Sequence, residues 1–171
     1  MESTKPTVGY WNIRGLGQAL RVQMAYSGQD FNDVQMIYGS EGETDWRVQK
    51  PKLIEEGLQF ANLPYILDGD NKIAETLACH NYLAAKFKPA LLGTTPQEQA
   101  DCTMISLILH PLNFNKVTIP CYQTDDRAKI IAESKDGIAS IAKWLGEKTY
   151  LCGNNITWVD FYCWEFINRC E

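Results

Sequence analysis

The chain has 171 residues, 45% apolar and 22% charged, and a formal net charge of −5. That length supports one large domain or two small ones with a real core, and an acidic balance with scattered Lys and Arg argues against a nucleic-acid binder. No apolar run reaches membrane-spanning length and MESTKPTVGY has no signal-peptide pattern, so the expectation is a soluble cytoplasmic protein without a membrane partner.

PTVGYWN at 6–12 is short and apolar and predicts a strand. Residues 15–27 predict a helix in which Leu16, Leu20, Met24 and Tyr26 keep helical spacing, stopped by Gly28. FNDVQMI at 31–37 predicts a second strand. A polar, glycine-bearing loop follows at 39–43, then a short amphipathic piece at 44–52 that carries Trp46 and Lys50. Two hairpin strands, 64–67 and 72–74, flank an Asp-Gly turn at Asp68-Gly69, and a helix opens at Glu75-Thr76 and runs to about residue 86. Pro64 has no backbone donor, which by itself fits a trans proline at the start of an edge strand. The order strand–helix–strand–helix–strand–strand–helix defines an α/β module opened by a right-handed crossover.

Residues 87–94, with Pro89 and Gly93, read as a linker. Helices alone are predicted from there on. Thr95 at the N-cap, Pro96 at N1 and Glu98 at N3 spell a capping box. The helix that begins there is interrupted at Pro111 and Pro120, and another covers about 125–146, with Ile130, Ile131, Ile138, Ile141 and Leu145 favouring one side. In NNITWVDF, Thr157 caps a last helix, Asp160 completes its box, and Ile156 and Phe161 are placed for a hydrophobic staple. Residues 158–167 are apolar at eight of ten positions. A helix of that composition is buried on most sides and needs a cover.

The six cysteines form no CxxC pair and read as buried free thiols of a reducing compartment. The two histidines, His80 and His110, are not clustered, so no metal site is expected. Glycine-rich nucleotide motifs are absent. A thiol–disulfide oxidoreductase would need a cysteine at the end of the first strand, where Tyr10 stands.

Three segments in order, GYWNIRGLGQALR at 9–21, GLQFANLPYILDG at 57–69 and GNNITWVDF at 153–161, identify a resemblance to the cytosolic glutathione S-transferases, nearest the mu class. The resemblance implies a thioredoxin-like α/β domain at 1–86 that binds glutathione, a linker at 87–94, and an all-helical substrate and dimer domain at 95–171. That helical bundle is incomplete and C-terminally short relative to the family. The implied activity is conjugation of the glutathione thiolate to small electrophiles, a detoxification chemistry, with glutathione as co-substrate and no metal.

The resemblance assigns roles residue by residue. Tyr10 donates a hydrogen bond from its phenol to the glutathione sulfur. A free thiol has a pKa of about 8.5, and stabilising its charged form lowers that value; a depression of about two pH units is worth roughly 2.7 kcal/mol. Trp11 lines the tripeptide site, Trp46 and Lys50 face the glycyl carboxylate, and Asn62 stands beside Leu63. Leu63 pairs its backbone with the cysteinyl unit, in the manner of strand addition, and is joined to Pro64 by a cis bond. Glu75 and Thr76 meet the γ-glutamyl ammonium and carboxylate at a helix N-terminus, where free N–H groups and the dipole favour an anion. Tyr122 assists the electrophile. Phe60 is an aromatic key into a second subunit, which implies a homodimer. The chain departs from the mu pattern at Glu43, where an arginine often stands, and at Leu112, where an acidic residue serves the partner's site. The alternative implied is a catalytically weak relative with a structural role in a larger assembly, whose protein partner covers Trp158, Trp164 and Phe166.

Overall fold

The structure, a computed structural model, describes residues 5–170. They fall into two compact units that divide after Phe87.

In the first unit, β1 (Thr7–Trp11), α1 (Gly17–Tyr26) and β2 (Asn32–Met36) form a parallel crossover, with Tyr10 opposite Gln35. A 3₁₀ turn at Gly42–Thr44 leads into α2 (Trp46–Glu55), which Asp45 caps by accepting from the Arg47 N–H. β3 (Tyr65–Asp68) and β4 (Asn71–Ala74) are an antiparallel hairpin, and α3 (Thr76–Phe87) follows. The hairpin loop is two residues long, and Gly69 takes its first central position at φ 59°, the glycine requirement of a II′-type turn.

The sheet order is β2-β1-β3-β4, with β1 antiparallel to β3. This is the expected thioredoxin-like arrangement. The Leu63–Pro64 bond is cis, as the resemblance implies, and the proline sits just ahead of β3, an inner strand, so the edge-strand, trans reading of Pro64 does not hold.

Alternation along the strands sorts the two faces. Val8 and Ile66 turn toward α1 and α3 and form the core with Leu20, Met24, Cys79 and Leu83. Tyr65 points the other way and stacks with Trp46, ring centroids 6.3 Å apart. Its ring occupies the space a side chain at its strand partner Gly9 would need: a Cβ there would lie 2.1 Å from Tyr65 Cζ. Gln23 and His80, both fully buried, tie α1 to α3, because Gln23 donates to the His80 carbonyl at 2.9 Å.

The second unit contains α4 (Pro96–Pro111), a π-helical segment at Leu112–Thr118, α5 (Ile119–Gln123), α6 (Arg127–Leu145) and α7 (Trp158–Cys170). Thr95 and Glu98 make the reciprocal capping box at the start of α4. The interruption expected at Pro111 is the change to π-helix, inside which Thr118 donates to Asn113 Oδ1 at 2.9 Å. Gly137 of α6 leaves room for Leu112, whose Cδ1 would stand 2.6 Å from a Cβ at that position. The N-terminus of α7 differs from the expected box. Asp160 accepts from both the N–H and the hydroxyl of Thr157, each at 2.8 Å, and from the Leu151 N–H at 2.8 Å, so its carboxylate organises the whole turn.

Other expectations need correction. Tyr26 and Ile131 are exposed, and Cys121 is an exposed thiol rather than a buried one. Trp158 and Phe166 are 1% and 0% exposed in this chain, so the chain itself covers them; Trp164 alone of the three is half exposed. The unit covers most of α7 with α4 and the π-segment. No helix among the described residues is long and apolar enough to cross a membrane.

Candidate active site

Tyr10 lies one residue from the end of β1 and is buried. Gly15 in the loop and Gly17 at the first position of α1 shape its seat. A Cβ at Gly15 would stand 2.5 Å from the phenol oxygen, and one at Gly17 would stand 2.6 Å from Cδ1 and 2.7 Å from Cγ. The backbone therefore lies against the phenol at one end and the root of the ring at the other. Gly15 also holds φ 37°, a conformation that side chains rarely adopt.

At the same end of the sheet, where antiparallel β3 begins beside the end of β1, Asn62 bridges Leu63 and Glu75. Its Oδ1 accepts the Leu63 N–H at 2.9 Å, and its Nδ2 donates to Glu75 Oε1 at 3.0 Å. Glu75 is exposed with φ 72°, the one described non-glycine residue at positive φ. Such a conformation costs on the order of 1–3 kcal/mol and is concentrated at functional sites. It also moves the start of α3 from Glu75 to Thr76, which is buried. Glu75 nonetheless caps the helix through its backbone, since its carbonyl accepts from the Cys79 N–H at 2.9 Å.

Trp11 and Trp46 line one cavity of about 340 Å³, together with Tyr38, Asp45 and Arg47. Trp11 meets Tyr38 edge-on at 6.2 Å. Trp46 and Lys50 share an open hollow of about 630 Å³ on the surface of α2. Tyr38 and Arg47 had no signal in the sequence. A loop tyrosine and a helix arginine are ordinary surface residues until the chain folds them around two tryptophans. Arg47 holds Asp45 well below the usual carboxylate range by hydrogen bonding to it at 2.6 Å, and its own pKa rises for the same reason.

Glu43 is accounted for locally. Lys52 and Gln49 donate to its two oxygens at 2.6 Å each, and the Lys52 hydrogen bond lowers its pKa. Its charge is directed at α2.

Phe60, on the connection between α2 and β3, is 82% exposed. Tyr122 belongs to the second unit, where it is exposed on α5 beside Pro120. Partial desolvation raises its pKa. Leu112 is packed against α6 as described. Among the described residues, no cluster of three or more His, Cys, Asp and Glu side chains could hold a metal ion.

The mixed four-stranded sheet with a helical unit after it defines the class: a thioredoxin-like domain followed by an all-α domain. Comparison with known proteins narrows this. Residues 6–85 match the family model described as glutathione S-transferase, N-terminal domain. A glutathione S-transferase of Tyrophagus putrescentiae is 31% identical over 168 residues, covering 96% of this chain and 75% of that protein. Glutathione S-transferase Mu 4 of Mus musculus is 32% identical, covering 95% and 74%. Among solved structures, the glutathione S-transferase from Ascaris lumbricoides superposes with a TM-score of 0.73 at 24% identity, covering 93% of this chain and 77% of that one; at that identity the likeness speaks to the fold. The chain belongs to the glutathione S-transferase family.

Proposed function

We propose that this protein is a glutathione transferase of mu-class type that joins the glutathione thiolate to small, apolar electrophiles. The observation that carries this reading is the seat of Tyr10: a phenol at the end of β1, with Gly15 and Gly17 cleared around it, in a chain of this family. The Tyr10 hydroxyl donates a hydrogen bond to the glutathione sulfur and stabilises its anionic form. The thiol proton leaves to solvent. The sulfur then attacks the electrophilic carbon, and the leaving group departs with the bonding pair.

The other residues position the tripeptide. Leu63 pairs its backbone with the cysteinyl unit, exchanging its present Asn62 acceptor for the ligand's carbonyl. Glu75 accepts from the α-ammonium, and Thr76 with the N-terminus of α3 receives the α-carboxylate. Trp11, Trp46 and Lys50 take the glycyl end, and Pro64 holds the approach to β3. Tyr122 assists at the electrophile. Phe60 inserts into a second copy, giving a homodimer; a side chain so exposed suits an aromatic anchor. The domains are 1–86 and 95–171, joined at 87–94. The free cysteines fit a reducing, cytoplasmic setting. The alternative, a weakly active structural subunit, loses its main support because Trp158 and Phe166 are already buried in this chain.

The test is conjugation of glutathione to a chloronitrobenzene by the wild-type chain and by Tyr10→Phe. The expected result is a fall of at least about tenfold in kcat/KM, the kinetic equivalent of about 1.4 kcal/mol. Equal rates would remove Tyr10 from the mechanism. No activity in either, with glutathione still bound, would favour the structural subunit.

A further inference from the structure

Cys102 and Cys152 are 50 positions apart in the chain, yet their sulfurs lie 3.3 Å from each other. Both residues are buried, at 1% and 6% exposure, and the reaction above uses neither. We propose that this pair is a reversible oxidation site, which closes into an intramolecular disulfide on reaction with hydrogen peroxide.

Three observations support the pairing. First, ordered elements present both sulfurs. Cys102 is on the second turn of α4. Cys152 is in the tight turn Tyr150–Gly153, closed by hydrogen bonds of 2.9 and 3.1 Å between its end residues. Second, that turn is anchored from two sides: Leu151 donates to Asp160 Oδ1, and its carbonyl accepts from Trp144 Nε1, both at 2.8 Å. The sulfurs are thus held close, and bond formation requires only a small further approach. Third, the pair is polarised. The two sulfurs share one hydrogen bond, and that contact lowers the Cys102 pKa and raises that of Cys152. Burial opposes ionisation of Cys102, though less than the contact with Cys152 favours it, and the charges of Asp160 and Asp101 oppose it more weakly still.

The nucleophile is therefore Cys102, since the thiolate is the reactive form. Its sulfur attacks one peroxide oxygen, the O–O bond breaks, and hydroxide leaves, taking up the proton that Cys102 released. The product is a sulfenic acid. Cys152 then attacks that sulfur, displacing the hydroxyl group as water as its own proton is transferred. Two thiols lose two electrons, and one peroxide becomes two waters. Burial selects a small oxidant over a bulky disulfide. The new bond ties α4 to the turn that Asp160 shares with the start of α7.

The experiment is peptide mapping of the full chain after peroxide treatment, alkylation of remaining thiols under denaturing conditions, and tryptic digestion. The expected product is a linked pair of peptides, 87–116 and 149–169, in most molecules, reverted to free thiols by dithiothreitol. Cys152 shares its peptide with Cys163, so fragmentation must place the bond on Cys152. Persistence of both thiols, a link through Cys163 or between Cys121 and Cys170, or sulfinic acid at Cys102 beside an alkylated Cys152 would each overturn the proposal. Cys102→Ser and Cys152→Ser should each abolish the link; if either variant fails to fold, the wild-type map decides alone.

Discussion

Gly17→Ala tests how the Tyr10 phenol is held. Gly17 is the first residue of α1, and its φ is not in the left-handed region, so the backbone tolerates alanine. In a helix interior the exchange would stabilise by about 1 kcal/mol, and by less in a first turn. Opposing this, the new Cβ would stand 2.6–2.8 Å from Cδ1, Cγ and Cβ of Tyr10. These are the root of the side chain, which cannot swing aside as a flexible tip could. Overpacking of that kind costs typically 1–3 kcal/mol. The net destabilisation is about 1–2 kcal/mol, which lowers Tm by roughly 2–8 °C in a chain of this size.

The functional effect should exceed the stability effect. A tilt at the root of the ring displaces the phenol oxygen at its far end, and misplacement of about 1 Å can cost on the order of a hundredfold. The assay combines thermal melts with glutathione conjugation under saturating electrophile. A loss of kcat/KM of more than about tenfold at a temperature where the variant is folded is expected. Wild-type Tm and wild-type activity together would refute the claim that the glycines fix Tyr10. An unstable variant with normal specific activity would show that they matter for packing alone.

Asn62→Ala removes the amide donor that orients Glu75. A loss of about 1 kcal/mol in positioning should raise KM for glutathione about fivefold with little change in kcat, measured by steady-state kinetics. Thr95→Ala breaks one half of the capping box on α4 and should destabilise the fold by about 1 kcal/mol in denaturant melts, with conjugation unchanged. High pH should weaken the fold. Burial raises the Cys163 thiol from 9.0 to about 12 and the Tyr65 phenol from 10.0 to about 12. Both pKa values are raised, so the stability they contribute is complete below pH 9 and is lost as pH climbs toward 12. Melts taken across that range should show a steady decline that Cys163→Ala makes shallower; identical slopes would contradict the assignment.

The elements were legible where local chemistry decides them. Thr95, Pro96 and Glu98 announce a helix start because the capping groups are within four residues of one another, and the structure forms that box. Gly28 and the Asp68-Gly69 turn mark breaks for the same local reason. The α7 start was half legible. Thr157 and Asp160 do meet, but the carboxylate also serves Leu151, nine residues earlier, a partner no short motif encodes. Periodicity likewise favoured Tyr26 and Ile131 as core positions, although their faces turn to solvent.

The sequence by itself determined the order of elements in the first unit and the presence of a tyrosine where the first strand ends, because these depend on local propensity and on side-chain period. The tertiary structure decided what each residue meets. It made β3 an inner strand, cleared Gly15 and Gly17 around Tyr10, joined Asn62 to Glu75, folded Tyr38 and Arg47 around the tryptophans, and brought Cys102 to Cys152. Such contacts join residues far apart in the chain. Their geometry comes from the packing of whole helices and strands, which no window of sequence contains.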